Sequence, residues 1–150
     1  LKEMAELLKE KRKNDNLIIL DPSLDDLFEE NIYILNICNK KFFIPLWSHE
    51  LSYEVDDGDL IVKCVPDLPE NVEIDDNNNI FINIERKIKD VIKEDIIFVL
   101  GQKQFNIKSS ELFIKPKQTF ILYNKGIPRF DTKDIYSVKK GHIYVNINLS

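Results

Sequence analysis

The densest run of reactive side chains in this 150-residue chain is Trp47-Ser48-His49-Glu50, which sets a hydroxyl, an imidazole and a carboxylate side by side. Acyl transfer needs such groups to converge on one point. Neighbouring residues of a strand face opposite ways, so Ser48 and His49 are not expected to meet as nucleophile and base. Asp75-Asp76-Asn77-Asn78-Asn79 carries oxygen ligands of the kind calcium takes. It lacks the glycine and distal glutamate of an EF-hand loop and reads as a polar hairpin tip. Cys38, Cys64, His49 and His142 are the whole complement of cysteine and histidine, and no CxxC or HxxxH spacing joins them. Zinc is therefore not expected, and both thiols read as small buried apolar groups, with a reducing compartment favoured. No P-loop, GxGxxG, GxSxG or HExxH occurs, and four glycines leave little room for phosphate-cradling loops. The expectation is a chain that is not an enzyme, with no catalytic residue, metal or cofactor.

The elements that would position any site are mostly strands. Forty-three per cent of the residues are apolar, and Ile, Val, Phe and Tyr dominate them. A net charge of -5 and a pI near 5.1 argue against a nucleic-acid surface. The lysine-rich runs Lys9–Lys13 and Lys115–Lys117 read as solvated faces. No apolar stretch reaches the length of about 18 residues that a spanning helix needs. The chain opens at Leu1 rather than Met, as a piece of a longer protein would.

One helix is expected, over residues 1–13, with Leu1, Met4, Leu7 and Leu8 on one face. Strands are expected at 17–20, 32–37, 41–46 and 60–65. Ser23-Leu24-Asp25-Asp26-Leu27-Phe28 reads as a capped helical turn. Pro66–Pro69 is stiff and marks a boundary. Beyond it the pattern returns. Leu24, Asp26, Leu27, Phe28, Glu30 and Ile32 match Ile88, Asp90, Val91, Ile92, Glu94 and Ile96 at one constant offset. With one residue dropped at the hairpin turn, Phe42 and Ile44 match Phe105 and Ile107. Glu50-Leu51 then matches Glu111-Leu112, and Gly58-Asp59-Leu60-Ile61-Val62 matches Gly141-His142-Ile143-Tyr144-Val145. The expected architecture is mainly β: two similar β-sandwich-like domains in tandem, at 16–66 and 67–150, preceded by a helix and linker at 1–15.

The informative anomaly is apolar character on both faces of the first hairpin. A sheet with one dry face alternates apolar and polar residues. Phe105 and Ile107 do alternate with Asn106 and Lys108. In the first copy Phe42 and Ile44 are the inward pair, yet Phe43, Pro45 and Trp47 on the other face are apolar too. Either a neighbouring element covers that face, or it is an open groove beside a strand edge, suited to an extended peptide that adds as a strand.

The tandem, the turn at Ser23–Phe28, the segments Gly58–Val62 and Gly141–Val145, and Lys125-Gly126-Ile127-Pro128 together resemble the C-terminal substrate-binding region of DnaJ-type (J-protein) co-chaperones. The resemblance covers residues 16–150. It implies two β-sandwich-like domains, the first with a shallow apolar groove for unfolded client polypeptides, which the family passes to a heat-shock ATPase chaperone. It places Leu35 and Ile37 in the peptide-binding pocket, with Val72 beside it; the periodicity adds Phe43 and Trp47 from the open face. The J domain with its His-Pro-Asp tripeptide and the family's cysteine-rich zinc module are both absent from the chain, and His142 stands where the family keeps aspartate. The chain ends where the family's dimerisation segment would begin, so it is expected to be a monomer whose longer parent dimerises. A cytoplasmic setting is expected. The alternative is a dedicated protein-interaction or anchoring module on the same fold. Sugar binding by a β-sandwich, through Trp47 and Tyr53, is a third reading.

Overall fold

A computed structural model describes residues 16–37, 39–55, 58–130 and 139–150. The helix expected over 1–13 and the thiol of Cys38 lie outside the described residues. The described chain is mainly β, with few helical turns. It divides into two compact units. One gathers residues 16–67 and 128–130, the other 68–127 and 139–150.

In the first unit β1 (Asn16–Leu20) leads into α1 (Leu24–Phe28), then a hairpin of β2 (Ile32–Ile37) and β3 (Lys40–Pro45), then β4 (Glu50–Val55) and β5 (Gly58–Cys64). β5 lies at the centre of a three-stranded sheet, parallel to β1 and antiparallel to β4. Asp26 explains why so short a helix holds. Its carboxylate accepts from the N–H and hydroxyl of Ser23, both at 3.0 Å, and from Asn31 Nδ2 at 2.9 Å, while the Ser23 hydroxyl accepts from Asp26 N. This reciprocal cap satisfies orphan donors at the helix start. Leu24 and Leu27 then drop into the core with Leu20, Tyr33, Ile44, Leu46, Leu60 and Val62.

The second unit runs in the same order. After β6 (Val72–Ile74) come β7 (Ile80–Arg86), α2 (Ile88–Lys93), a hairpin of β8 (Ile96–Leu100) and β9 (Lys103–Ile107), a 3₁₀ turn at Ser109–Glu111, β10 (Lys117–Leu122) and β11 (Ile143–Leu149). β11 is parallel to β7 and antiparallel to β10, as β5 is to β1 and β4. The register agrees residue for residue. Ile18 faces Val62 in the first unit, and Ile82 faces Val145 in the second. All four are buried.

Structure corrects two matches of the repeat. Ile37 pairs with Lys40 and Leu100 with Lys103, so each hairpin has two residues between its strands and none is lost there. Tyr33 and Ile96 pair with the matched Ile44 and Ile107, so Tyr33, not Ile32, is the counterpart of Ile96. The extra residue of the first unit sits after α1, where Glu30 takes a left-handed φ of 55°. One residue of slip reverses the faces of a strand, which is why the distinction matters. The counterpart of β4 is β10, since Leu51 faces Val62 as Phe120 faces Val145. Glu111-Leu112 instead belongs to the 3₁₀ turn and its cap.

The two matched glycines serve different ends. Gly58 takes a φ of +124°, a conformation side chains rarely adopt. At Gly141 a Cβ would overlap the carbonyl of Asn78.

Candidate functional site

In an antiparallel hairpin, residues of alternate pairs turn their N–H and C=O groups away from the partner strand. Two side-chain bonds show which residues do so here. Tyr53 Oη donates to Phe43 O at 3.4 Å, reaching the outer edge of β3 from β4. Arg86 Nη2 donates to Ile97 O at 3.3 Å, reaching the outer edge of β8. Phe43 faces Ile34, and Ile97 faces Asn106. It follows that Ile34 and Asn36 present the outer ladder groups of β2, and Ile97 and Val99 those of β8. Among the described residues no backbone group pairs with these edges.

The side chains follow the same alternation. On the first hairpin Tyr33, Leu35 and Ile44 face inward and are buried, and Ile37 at the strand end is half-buried. Phe42 packs on Tyr53 with ring centroids 5.1 Å apart, tying the hairpin to the three-stranded sheet. The opposite face carries Ile32, Ile34 and Pro45, all half-buried, and Phe43, which is 53% exposed. On the second hairpin Ile96, Phe98 and Leu100 are buried, while Ile97 and Val99 are exposed.

The five expected peptide-binding residues therefore separate. Leu35 and Ile37 share the inner face of β2, and Phe43 stands on the outer face of β3. Trp47 lies in the turn after β3 and is half-buried. Val72 belongs to the other unit, buried in β6 opposite Ile82. Sequence reasoning missed Ile34, Ile97 and Val99. Their signal was available: strand residues whose apolar side chains fall on the face opposite the core set.

The second unit holds a groove of about 590 Å³ whose lining includes Asn71, Ile84, Glu85, Arg86, Ile97 and Val99. β6 covers the edge of β7 only as far as Asn83, whose N–H donates to Asn71 O and whose carbonyl accepts from Asn71 Nδ2. Two residues on, Glu85 turns the same way, and among the described residues no strand lies beside it on that side. The Arg86 guanidinium fills the gap, donating from Nη1 to Glu85 O at 2.9 Å and from Nη2 to Ile97 O. It supplies to two strand edges the donors that a further strand would supply. By the repeat, the position of Arg86 in the first unit is Pro22, which carries no donor.

The groups considered for chemistry are occupied structurally. Ser48 is buried and donates to Pro45 O at 2.7 Å, 3.8 Å from Cys64 Sγ. Burial pushes the Cys64 thiol up to about 11, although its hydrogen bond with Ser48 pulls it down. Such a thiol is a poor nucleophile at neutral pH. Asp75 Oδ1 accepts from Asn77 N and Asn79 N, folding the Asp75–Asn79 segment into the tip between β6 and β7. Among the described residues no group of three or more His, Cys, Asp or Glu side chains is placed to hold a metal. No helix among them is long and apolar enough to cross a membrane.

No protein-family model matches the chain, and no curated protein matches it significantly.

Proposed function

We propose that this chain is the polypeptide-holding region of a DnaJ-type co-chaperone, built as two β-sandwich-like domains in tandem. It binds unfolded or extended client segments, which the full-length protein passes to a heat-shock ATPase chaperone. The observation that carries the reading is the open outer edge of each hairpin, set beside apolar side chains that the core does not use. An extended segment adds there as a strand. Its backbone completes the ladder, and alternate side chains settle against Ile34 and Phe43 or against Ile97 and Val99. The unplugged edge of β2 makes the first unit the principal site, and the repeated order of elements with matching register supports a common origin for the two units.

Contacts of this size support binding in the micromolar range. Trp47, the chain's one tryptophan, sits at the end of the first hairpin and reports on it. Titration with a Leu- and aromatic-rich peptide should shift its emission saturably, and a peptide of the same length made of Ser, Gly and Glu should not. Equal responses to both, or none to either, would remove the reading.

A further inference from the structure

Phe113 and Ile114 are 69% and 73% exposed, higher than any other large apolar side chain described, and they are adjacent. They crown the segment between the 3₁₀ turn and β10, in the second unit. A loose loop would scatter such residues, but this one is pinned. Gln118 grips Phe113 twice: its Oε1 accepts from Phe113 N at 2.9 Å, and its Nε2 donates to Phe113 O at 2.6 Å. Below the tip, Glu111 N and Leu112 N donate to Lys108 O and Ser109 O. Pro116 has no N–H, and its carbonyl accepts from Leu149 N at 2.8 Å.

These bonds decide between partners. A segment destined to add to another sheet keeps its backbone groups available, and Phe113 has spent both of its own on Gln118. Phe113 is left with its side chain to offer. A medium without hydrogen-bonding groups demands backbone polar groups satisfied from within. The charge around the tip points the same way. Within residues 108–118 Lys108, Lys115 and Lys117 stand against one acid, Glu111, and below the tip the Asp95 carboxylate accepts from Ser109 N at 2.9 Å, in a chain whose net charge is -5. Lys115 Nζ lies 5.4 Å from the Phe113 ring centroid, so the cation sits beside the apolar tip. Lysines flanking apolar side chains match a surface with anionic headgroups over hydrocarbon.

We propose that the Phe113–Ile114 tip is a docking point for anionic membrane surfaces, inserting its two side chains between headgroups while the flanking lysines meet the lipid charge. It is a peripheral contact, separate from the hairpin edges.

The test is co-sedimentation of the full chain with phosphatidylcholine vesicles, with and without phosphatidylserine. Binding is expected only where phosphatidylserine is present. Phe113→Ser with Ile114→Ser should lower the partition about tenfold, and Lys115→Glu with Lys117→Glu should do the same. All four side chains are exposed, so both variants should keep the far-ultraviolet spectrum of the unaltered chain. A Phe113→Trp variant should gain a blue-shifted emission component with the anionic vesicles. Sedimentation with neither vesicle overturns the proposal and leaves the tip to a groove on another protein. Binding that survives Phe113→Ser with Ile114→Ser overturns it as well, since the lipid would then be held elsewhere.

Discussion

Arg86 and Ile97 meet at 3.3 Å, guanidinium to carbonyl, across a gap between two strand edges that no strand among the described residues fills. The same guanidinium holds Glu85 O at 2.9 Å. Charged side chains turned onto an open edge are a known protection against unwanted pairing. Here the protection is removable, because among the described residues Arg86 is tethered only by neutral carbonyls. Replacing it by Ala should free both edges and raise the affinity of the second unit for an apolar peptide several-fold. Fluorescence anisotropy with a labelled peptide measures this, with Phe43→Ser introduced to weaken the first site. Arg86→Lys, with one point charge in place of two directed donors, should fall between.

Leu35 and Phe43 occupy opposite faces of one hairpin, and their substitutions should part accordingly. Leu35 is 5% exposed, and Leu35→Ala should cost about 3 kcal/mol of stability, as core truncations do. Phe43→Ser should cost under about 1 kcal/mol while weakening peptide binding at least threefold. Chemical denaturation and anisotropy separate the two effects. Binding lost in Leu35→Ala alone, with Phe43→Ser unchanged, would move the contact to the inner face.

Cys64 gives a dependence on pH. Its folded thiol titrates near 11 against an ordinary value near 9. Below pH 9 the thiol is protonated in both states and the full stability is present. Above that the unfolded chain ionises first, so stability falls as pH rises, until the folded thiol itself titrates near 11. The slope in this window should approach 1.4 kcal/mol per pH unit. Subtracting the same profile of a Cys64→Val variant isolates it. In a Cys38→Ser background, Cys64 should react with a thiol reagent at pH 8 only on unfolding.

Much of the β architecture was legible in the residues. The runs Ile32–Ile37 and Ile96–Leu100 are apolar and bounded by turn residues, and each became one strand of a hairpin. A cap at Ser23 or Asp21 was legible from the residue types, and the structure places it at Ser23, with Asp26 completing it. β4 was missed although exposed Glu50, Ser52 and Glu54 alternate with half-buried Leu51, Tyr53 and Val55, whereas the side chains of β10 lie mostly between buried and exposed, which leaves no clean alternation. β6 is three residues long, too short to show a period, although the polar tip at Asp75–Asn79 that joins it to β7 was legible. The site was legible as a hairpin but not as an edge. Apolar excess marks the face of a strand, whereas an open edge is defined by neighbours that are absent. Arg86 gave no signal at all, since its role depends on Ile97 being brought beside it.

Strand addition makes a claim about particular amide protons, and their exchange tests it most directly. Ile34 and Asn36 in the first unit, and Ile97 and Val99 in the second, turn their N–H groups outward, while Tyr33, Leu35 and Phe98 already donate across their hairpins. Hydrogen exchange followed by NMR, with and without a saturating Leu-rich peptide, should show the outward amides slowed at least tenfold. The inward amides should change little, and Ile34 and Asn36 should respond at the lowest peptide concentration. Peptide binding that leaves all four outward amides exchanging at their free rates would contradict the account.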